Sequence, residues 1–128
     1  MNKKHRINLI LTIIFILSFL IPKYNNANEI LIYADSITYD EDENIIAKGN
    51  AKVYQENQLI ISELIIYNKN KEEIILPLKF IFKDEKNNFF QGENGFFKKD
   101  LNYAEFNGPK IRLNDGSRLI GNKLKRDG

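Results

Sequence analysis

The side chains that could do chemistry in this 128-residue chain are carboxylates and lysines. Cysteine and tryptophan are absent, and the single histidine, His5, sits in the N-terminal segment. Nucleophilic and general acid–base catalysis draw mostly on His, Cys, or a Ser or Lys activated by a neighbouring base. The densest acidic cluster is Asp40-Glu41-Asp42-Glu43, and Asp40, Asp42 and Asn44 share the spacing that opens an EF-hand calcium loop. Position six of that loop is Ile45 instead of Gly, and position twelve is Ala51 instead of Glu. The cluster therefore reads as a solvated hairpin tip. Glu63 and Glu93 could serve as a facing glycosidase pair, but they recur at matching places in a repeat, which argues for a structural role at strand starts. No Gly-rich phosphate loop and no metal-ligand spacing occurs. The expectation is a protein without enzymatic activity, metal or cofactor.

The elements that must position these residues read as strands. Apolar and polar residues alternate in Ile37-Thr38-Tyr39, in Ala51-Lys52-Val53 and in Lys110-Ile111-Arg112-Leu113. Over residues 74–82 the same period places Leu76, Leu78, Phe80 and Phe82 on one face. Period two with Ile, Val, Tyr and Phe enrichment predicts half-buried strands. Polar clusters at 40–44, 55–58, 68–72 and 84–88 predict turns, and Asp115-Gly116 predicts a two-residue type I′ hairpin turn. The result is an all-β antiparallel meander.

A repeat underlies it. Ala34-Asp35-Ser36-Ile37-Thr38-Tyr39-Asp40 resembles Ser62-Glu63-Leu64-Ile65-Ile66-Tyr67-Asn68, and Gly92-Glu93-Asn94-Gly95-Phe96-Phe97-Lys98 is a weaker third copy. Gly121 starts a fourth. A period of about 29 residues fits two-strand units stacked along an axis, each burying its apolar face against the next.

Residues 1–27 have the makings of a secretory signal peptide. Lys3, Lys4 and Arg6 precede an apolar run over 7–21, and Pro22 and Ala27 follow, with Ala27 suited to the cleavage position. An uncleaved anchor is the competing reading, and it needs about 20 apolar residues. Either way residues 28–128 form one exported domain. The leader holds Lys3, Lys4, Arg6 and Lys23 and no acid, so the remaining chain keeps 15 of the 19 basic residues and all 17 acids, a net of −2. The basic pI belongs to the leader and gives no reason to expect nucleic-acid binding. Without cysteine, the domain must be held by its core or by partner strands.

What remains is apolar surface. One sheet face is expected to carry Ile37, Tyr39, Ala51, Val53, Ile65, Tyr67, Phe80, Phe82, Phe97, Ile111 and Leu113. Those residues either fill a sandwich core or line an open groove for a long apolar ligand, in a sheet with free edges at both ends. A β-module that binds protein or carbohydrate is a further alternative.

The run 34–40, then Ala47-Lys48-Gly49-Asn50-Ala51, then the run 62–68, resembles the signature of the OstA-like domain. That domain is shared by the lipopolysaccharide-transport proteins LptA, LptC and LptD. Gly95 and Pro77-Leu78-Lys79 depart from the pattern. The resemblance implies a V-shaped antiparallel β-roll whose groove carries lipid A acyl chains. It also implies edge-to-edge stacking with other OstA-like domains in the periplasm. Asn114-Asp115-Gly116-Ser117-Arg118-Leu119 resembles a late hairpin of the N-terminal domain of LptD. Together with the half-repeat at the end of the sequence, it suggests a piece of such a protein. The partners would then include an outer-membrane barrel and its lipoprotein. A stand-alone LptA-like carrier suits the leader and the single domain equally.

Overall fold

The structure is a computed structural model and describes residues 29–98 and 100–127. The expected leader lies outside the described residues. Nine strands form one antiparallel sheet: β1 Leu31–Tyr33, β2 Ser36–Tyr39, β3 Ile45–Gln55, β4 Gln58–Asn68, β5 Glu73–Lys83, β6 Phe89–Lys98, β7 Tyr103–Arg112, β8 Arg118–Ile120 and β9 Lys123–Asp127. Strands β3 to β7 are a simple meander. Both short strands β1 and β2 pair with β3, and both β8 and β9 pair with β7. Each sheet edge is therefore one strand broken in two. The edges do not pair with each other, so the sheet is curled but open, and no helix occurs among the described residues.

The breaks lie on one line. The register slips in β3 between Lys48 and Ala51, in β4 between Ser62 and Ile66, in β5 between Leu76 and Lys79, and in β6 between Glu93 and Phe96. The gaps 34–35 and 121–122 continue that line through the two edges. Extra residues in a strand bend it. Here Gly49, Asn50, Asn94 and Gly108 supply the positive φ angles, at 80°, 46°, 49° and 59°. The line is a crease that folds the sheet into two half-sheets. Half-sheet I holds β1, β8 and the parts of β3 to β7 within 51–55, 58–62, 79–83, 89–93 and 109–112. Half-sheet II holds β2, β9 and the remaining parts.

The crease crosses every strand, and the motif that recurs about every 29 residues marks its crossing of every second one. At one edge the Asp35 amide donates to the Gly49 carbonyl at 2.9 Å, and at the other the Gly108 amide donates to the Asn122 carbonyl at 2.9 Å. The recurring acids sit here and not at strand starts, because both Glu63 and Glu93 fall inside continuous strands. The Asn50 side chain donates to Asp35 Oδ2 at 3.2 Å and the Asn50 amide to Glu63 Oε2 at 3.4 Å. Asp35 and Glu63 thus both serve the left-handed Asn50.

The turns fall in the predicted clusters. In 40–44, Asp40 Oδ1 accepts from the amides of Asp42 and Asn44, both at 2.9 Å, and the Asn44 side chain donates to Oδ2 at 2.9 Å. Asp84 repeats the arrangement with Lys86 and Asn88, also at 2.9 Å. The acidic tip is thus a carboxylate-stapled turn. The Asn44 bonds, side chain first, hold the Asp40 carboxyl below its ordinary pKa. The last hairpin departs from the two-residue expectation. Leu113 and Ser117 are bonded at 2.9 Å, and Gly116 has φ of 90° while Asp115 is not left-handed. That is a three-residue loop, because a type I′ turn needs positive φ at both central residues.

Candidate functional site in the apolar interior

Alternation along each straight segment sends every second side chain inward, and residues paired across strands share a face. In half-sheet I the registers string Ile32, Val53, Ile60, Phe82, Phe90, Ile111 and Leu119 into one inward row. In half-sheet II they string Tyr39, Ile45, Tyr67, Ile74, Phe97, Ala104 and Arg126. Both rows run from one edge of the sheet to the other.

The rows meet in an aromatic cluster. Phe82 of half-sheet I packs on Phe97 of half-sheet II at 4.8 Å between ring centroids, and Phe80 packs on Phe106 at 5.0 Å. Both pairs are edge-to-face, the geometry that aligns a ring's positive edge with another's negative face. Phe106 lies over Gly92 and Gly95. A Cβ on Gly95 would come within 2.4 Å of both the Glu105 carbonyl oxygen and Phe106 Cβ. This accounts for the weak third repeat: glycine stands where an apolar side chain was expected because the β7 chain at Glu105 and Phe106 fills that volume, while the Phe106 ring lies against Gly92.

The mouth of the V is bridged by polar bonds. The side chain of Gln55 donates to Asp100 Oδ1 at 2.8 Å, and that of Gln58 to the Asp100 carbonyl at 3.1 Å. The β3–β4 hairpin tip of one half-sheet is thereby joined to the β6–β7 turn of the other, with Leu101 buried beneath. A cavity of about 140 Å³ lies there, lined in part by Tyr67, Ile74 and Phe97. Burial, and secondarily the Glu72 carboxylate, raise the pKa of the Tyr67 hydroxyl, so it stays a neutral donor. Arg126 reaches over the Phe82 ring at 5.8 Å.

Of the residues predicted to share one face, Ala51, Val53, Ile65, Phe80, Phe82 and Phe97 come together in the buried middle. Tyr67 packs against that core, half-buried. Ile111 is half-buried toward the β8 edge, and Leu113 is half-buried in the β7–β8 loop. Ile37 and Tyr39 share the inward rows but sit on the edge strand, 45% and 73% exposed. Leu78, expected beside Leu76 and Phe80, is exposed because the crease interrupts β5 at that point. Sequence reading missed Ile60 and Phe106. Ile60 sits in an unbroken apolar run, Leu59-Ile60-Ile61, where alternation gives no direction. Phe106 was marked by the alternation of Ala104 with Phe106. The Gln55, Gln58 and Asp100 bridge joins residues 42 to 45 positions apart and left no local signal.

No group of acids suited to a metal occurs among the described residues. The arrangement offers apolar surface across the sheet, with Arg126 at the β9 end, closed in the middle and uncovered at Tyr39 and Leu119.

No protein-family model matches the chain, and a search of curated proteins returned no match. Among solved structures, the fold is similar to that of LptH from Pseudomonas aeruginosa, described as the LptA homologous periplasmic component of the conserved lipopolysaccharide transport device. The TM-score is 0.63 at 16% identity, covering 79% of this chain and 82% of that one. This defines the class of fold: an open, curled antiparallel sheet of the LptA type.

Proposed function

We propose that this chain is a periplasmic component of lipopolysaccharide transport, which holds lipid A acyl chains between its two half-sheets. The observation that carries the reading is the pair of inward rows, apolar except for Arg126 at one end of the second, and exposed at Ile37 and Tyr39 on one edge and at Leu119 on the other. The OstA-like signature and the likeness to LptH support it. Free edges β1/β2 and β8/β9 would take the edge strands of neighbouring OstA-like domains, extending the path from one domain to the next. The late hairpin favours an LptD-type N-terminal part, whose partners would be an outer-membrane barrel and its lipoprotein. A stand-alone LptA-like carrier would use the same interior in the same way.

The middle of the interior is filled by its own side chains, so acyl chains enter only when the half-sheets part. The magnitudes permit this. Re-exposing a buried Phe or Ile costs roughly 1.5–3 kcal/mol, and each buried CH₂ returns about 0.8 kcal/mol. An acyl chain of about a dozen methylenes offsets the opening of several core side chains.

The test is photo-crosslinking in cells, with a photoreactive residue at Ile37, Val53 or Leu119, and at Thr38 or Lys110 on the opposite face. Lipopolysaccharide adducts at the first three and not at the last two are expected. Absence of adducts at all five, with the protein exported and folded, would favour a closed module that binds protein or carbohydrate.

A further inference from the structure

Two cavities lie outside the interior. They lie side by side on the outer face of half-sheet I, about 570 and 350 Å³, and share Ile81, Gln91 and Lys110. Alternation fixes what this face displays, since its residues sit between the inward ones. Its cations are Lys52, Lys79, Lys83, Lys110, Arg112 and Arg118, flanking inward Val53, Phe80, Phe82, Ile111 and Leu119. Among the described strand residues of this face the carboxylates are Glu63 and Glu93, which stand on the crease and line the larger cavity, while Glu56, Glu85 and Asp115 are exposed in the turns at its rim. Six of the 15 basic residues beyond the leader are gathered on the strands of this face with two of the 17 acids, in a domain whose net charge is −2. The outer face of half-sheet II is mixed, with Lys48, Lys98, Lys123 and Lys125 set among Glu73, Glu105 and Asp127.

The same cationic face carries exposed apolar groups. Ile120 is 81% exposed, Tyr33 55% and Leu31 45%, and Tyr33 stacks edge-on against Tyr54 at 5.7 Å. Arg112 lies over the Phe89 ring at 4.7 Å, which holds its guanidinium on the apolar surface without a carboxylate partner in the contact. Aromatic rings, aliphatic tips and long cationic side chains together on one solvent face form the chemistry of a lipid–water boundary. Apolar parts enter the headgroup layer and cations meet phosphates.

We propose that the outer face of half-sheet I docks on the surface of a bilayer containing anionic phospholipid. The inward face of half-sheet I would then point away from the bilayer, with both sheet edges free. Docking uses the side of the sheet opposite the lipid path and does not depend on the lipid path being correct.

The chain has no cysteine, so single cysteines report one position each. The full chain is labelled with an environment-sensitive fluorophore at Ile120→Cys or Tyr33→Cys, and at Thr38→Cys or Lys125→Cys on half-sheet II. Each is mixed with vesicles of phosphatidylcholine alone or with about one third phosphatidylglycerol. The expected result is a blue shift at residues 120 and 33 with anionic vesicles only, lost in 0.5 M salt, and none at 38 or 125. The shift should fall at least tenfold in vesicle affinity when Lys83, Arg112 and Arg118 are changed to Gln. Because residues 1–27 are common to every sample, only the difference between positions is read. Equal shifts on both faces, equal shifts with neutral vesicles, or a shift indifferent to the triple change would overturn the proposal. So would a response to a dispersed short-chain anionic lipid without a response to vesicles, which would mean a single bound amphiphile, or no shift at any position. Circular dichroism of the triple variant should retain the β spectrum.

Discussion

The middle and the ends of the interior are made from the same inward rows, yet they are covered differently. Between β3 and β7 each inward side chain has two neighbouring strands and an opposing half-sheet, and Val53, Ile60, Phe82 and Phe97 are at most 1% exposed. At the edges one neighbour is missing, and Tyr39 and Leu119 stand 73% and 52% exposed on the same rows. The middle supplies the stability of the domain, while the ends have apolar surface whose burial awaits another molecule. A closed barrel would have no such ends.

The sharpest break of that comparison is truncation. Phe82→Ala is expected to cost about 3–5 kcal/mol in urea unfolding, as for a fully buried aromatic, while Tyr39→Ala should stay within about 0.5 kcal/mol. A cost below about 1 kcal/mol at Phe82 would mean that the middle is as loose as the ends.

A smaller effect tests the close packing beneath Phe106. Gly92→Ala, whose added Cβ would meet the Phe106 ring, should destabilise by roughly 1–3 kcal/mol through overpacking. Adding Phe106→Ala should relieve part of that strain, so the two changes combine non-additively in a double-mutant cycle. Simple additivity would show that the ring does not occupy the glycine's volume.

Smaller again is the bridge at the mouth. Asp100→Ala removes the acceptor for Gln55 and should cost about 0.5–1.5 kcal/mol. Amide exchange should quicken in residues 55–58 and 100–103 and stay unchanged in β2 and β8. Uniform quickening would mean that the mouth has no separate opening motion.

The least effect is expected at the β2–β3 turn. Folding lowers the Asp40 pKa, so the turn's contribution is complete above the ordinary carboxylate value near pH 4 and is lost as pH falls through the lower folded value. Amide protection of Asp42 and Asn44 should fall on that acid side and be flat from pH 5 to 8. Protection that persists in acid would show that the carboxylate bonds do not hold the turn.

Local chemistry explains why some of this was legible. Strand existence, turn positions and the 29-residue period follow from side-chain alternation and from Asp, Asn and Gly at fixed spacings, all of which act over a few residues. The OstA-like signature, with Asp35, Gly49 and Glu63, marks the crease itself. The face assignment of Leu78 failed because a register slip at Pro77 is invisible to a period-two pattern. The turn at 113–117 failed because Asp-Gly suits both two- and three-residue loops, and only the strand ends decide between them.

By itself, then, the sequence determined that residues 30–126 form an antiparallel β domain of two-strand repeats, because composition and alternation act locally. Tertiary structure alone decided that the strands crease along one line and that Phe80 and Phe82 meet Phe97 and Phe106. It also decided that Gln55 and Gln58 reach Asp100, and that six cations share a face with Ile120 and Tyr33. Those arrangements depend on which strands lie beside and opposite one another, and that is set by register and bending across the whole sheet.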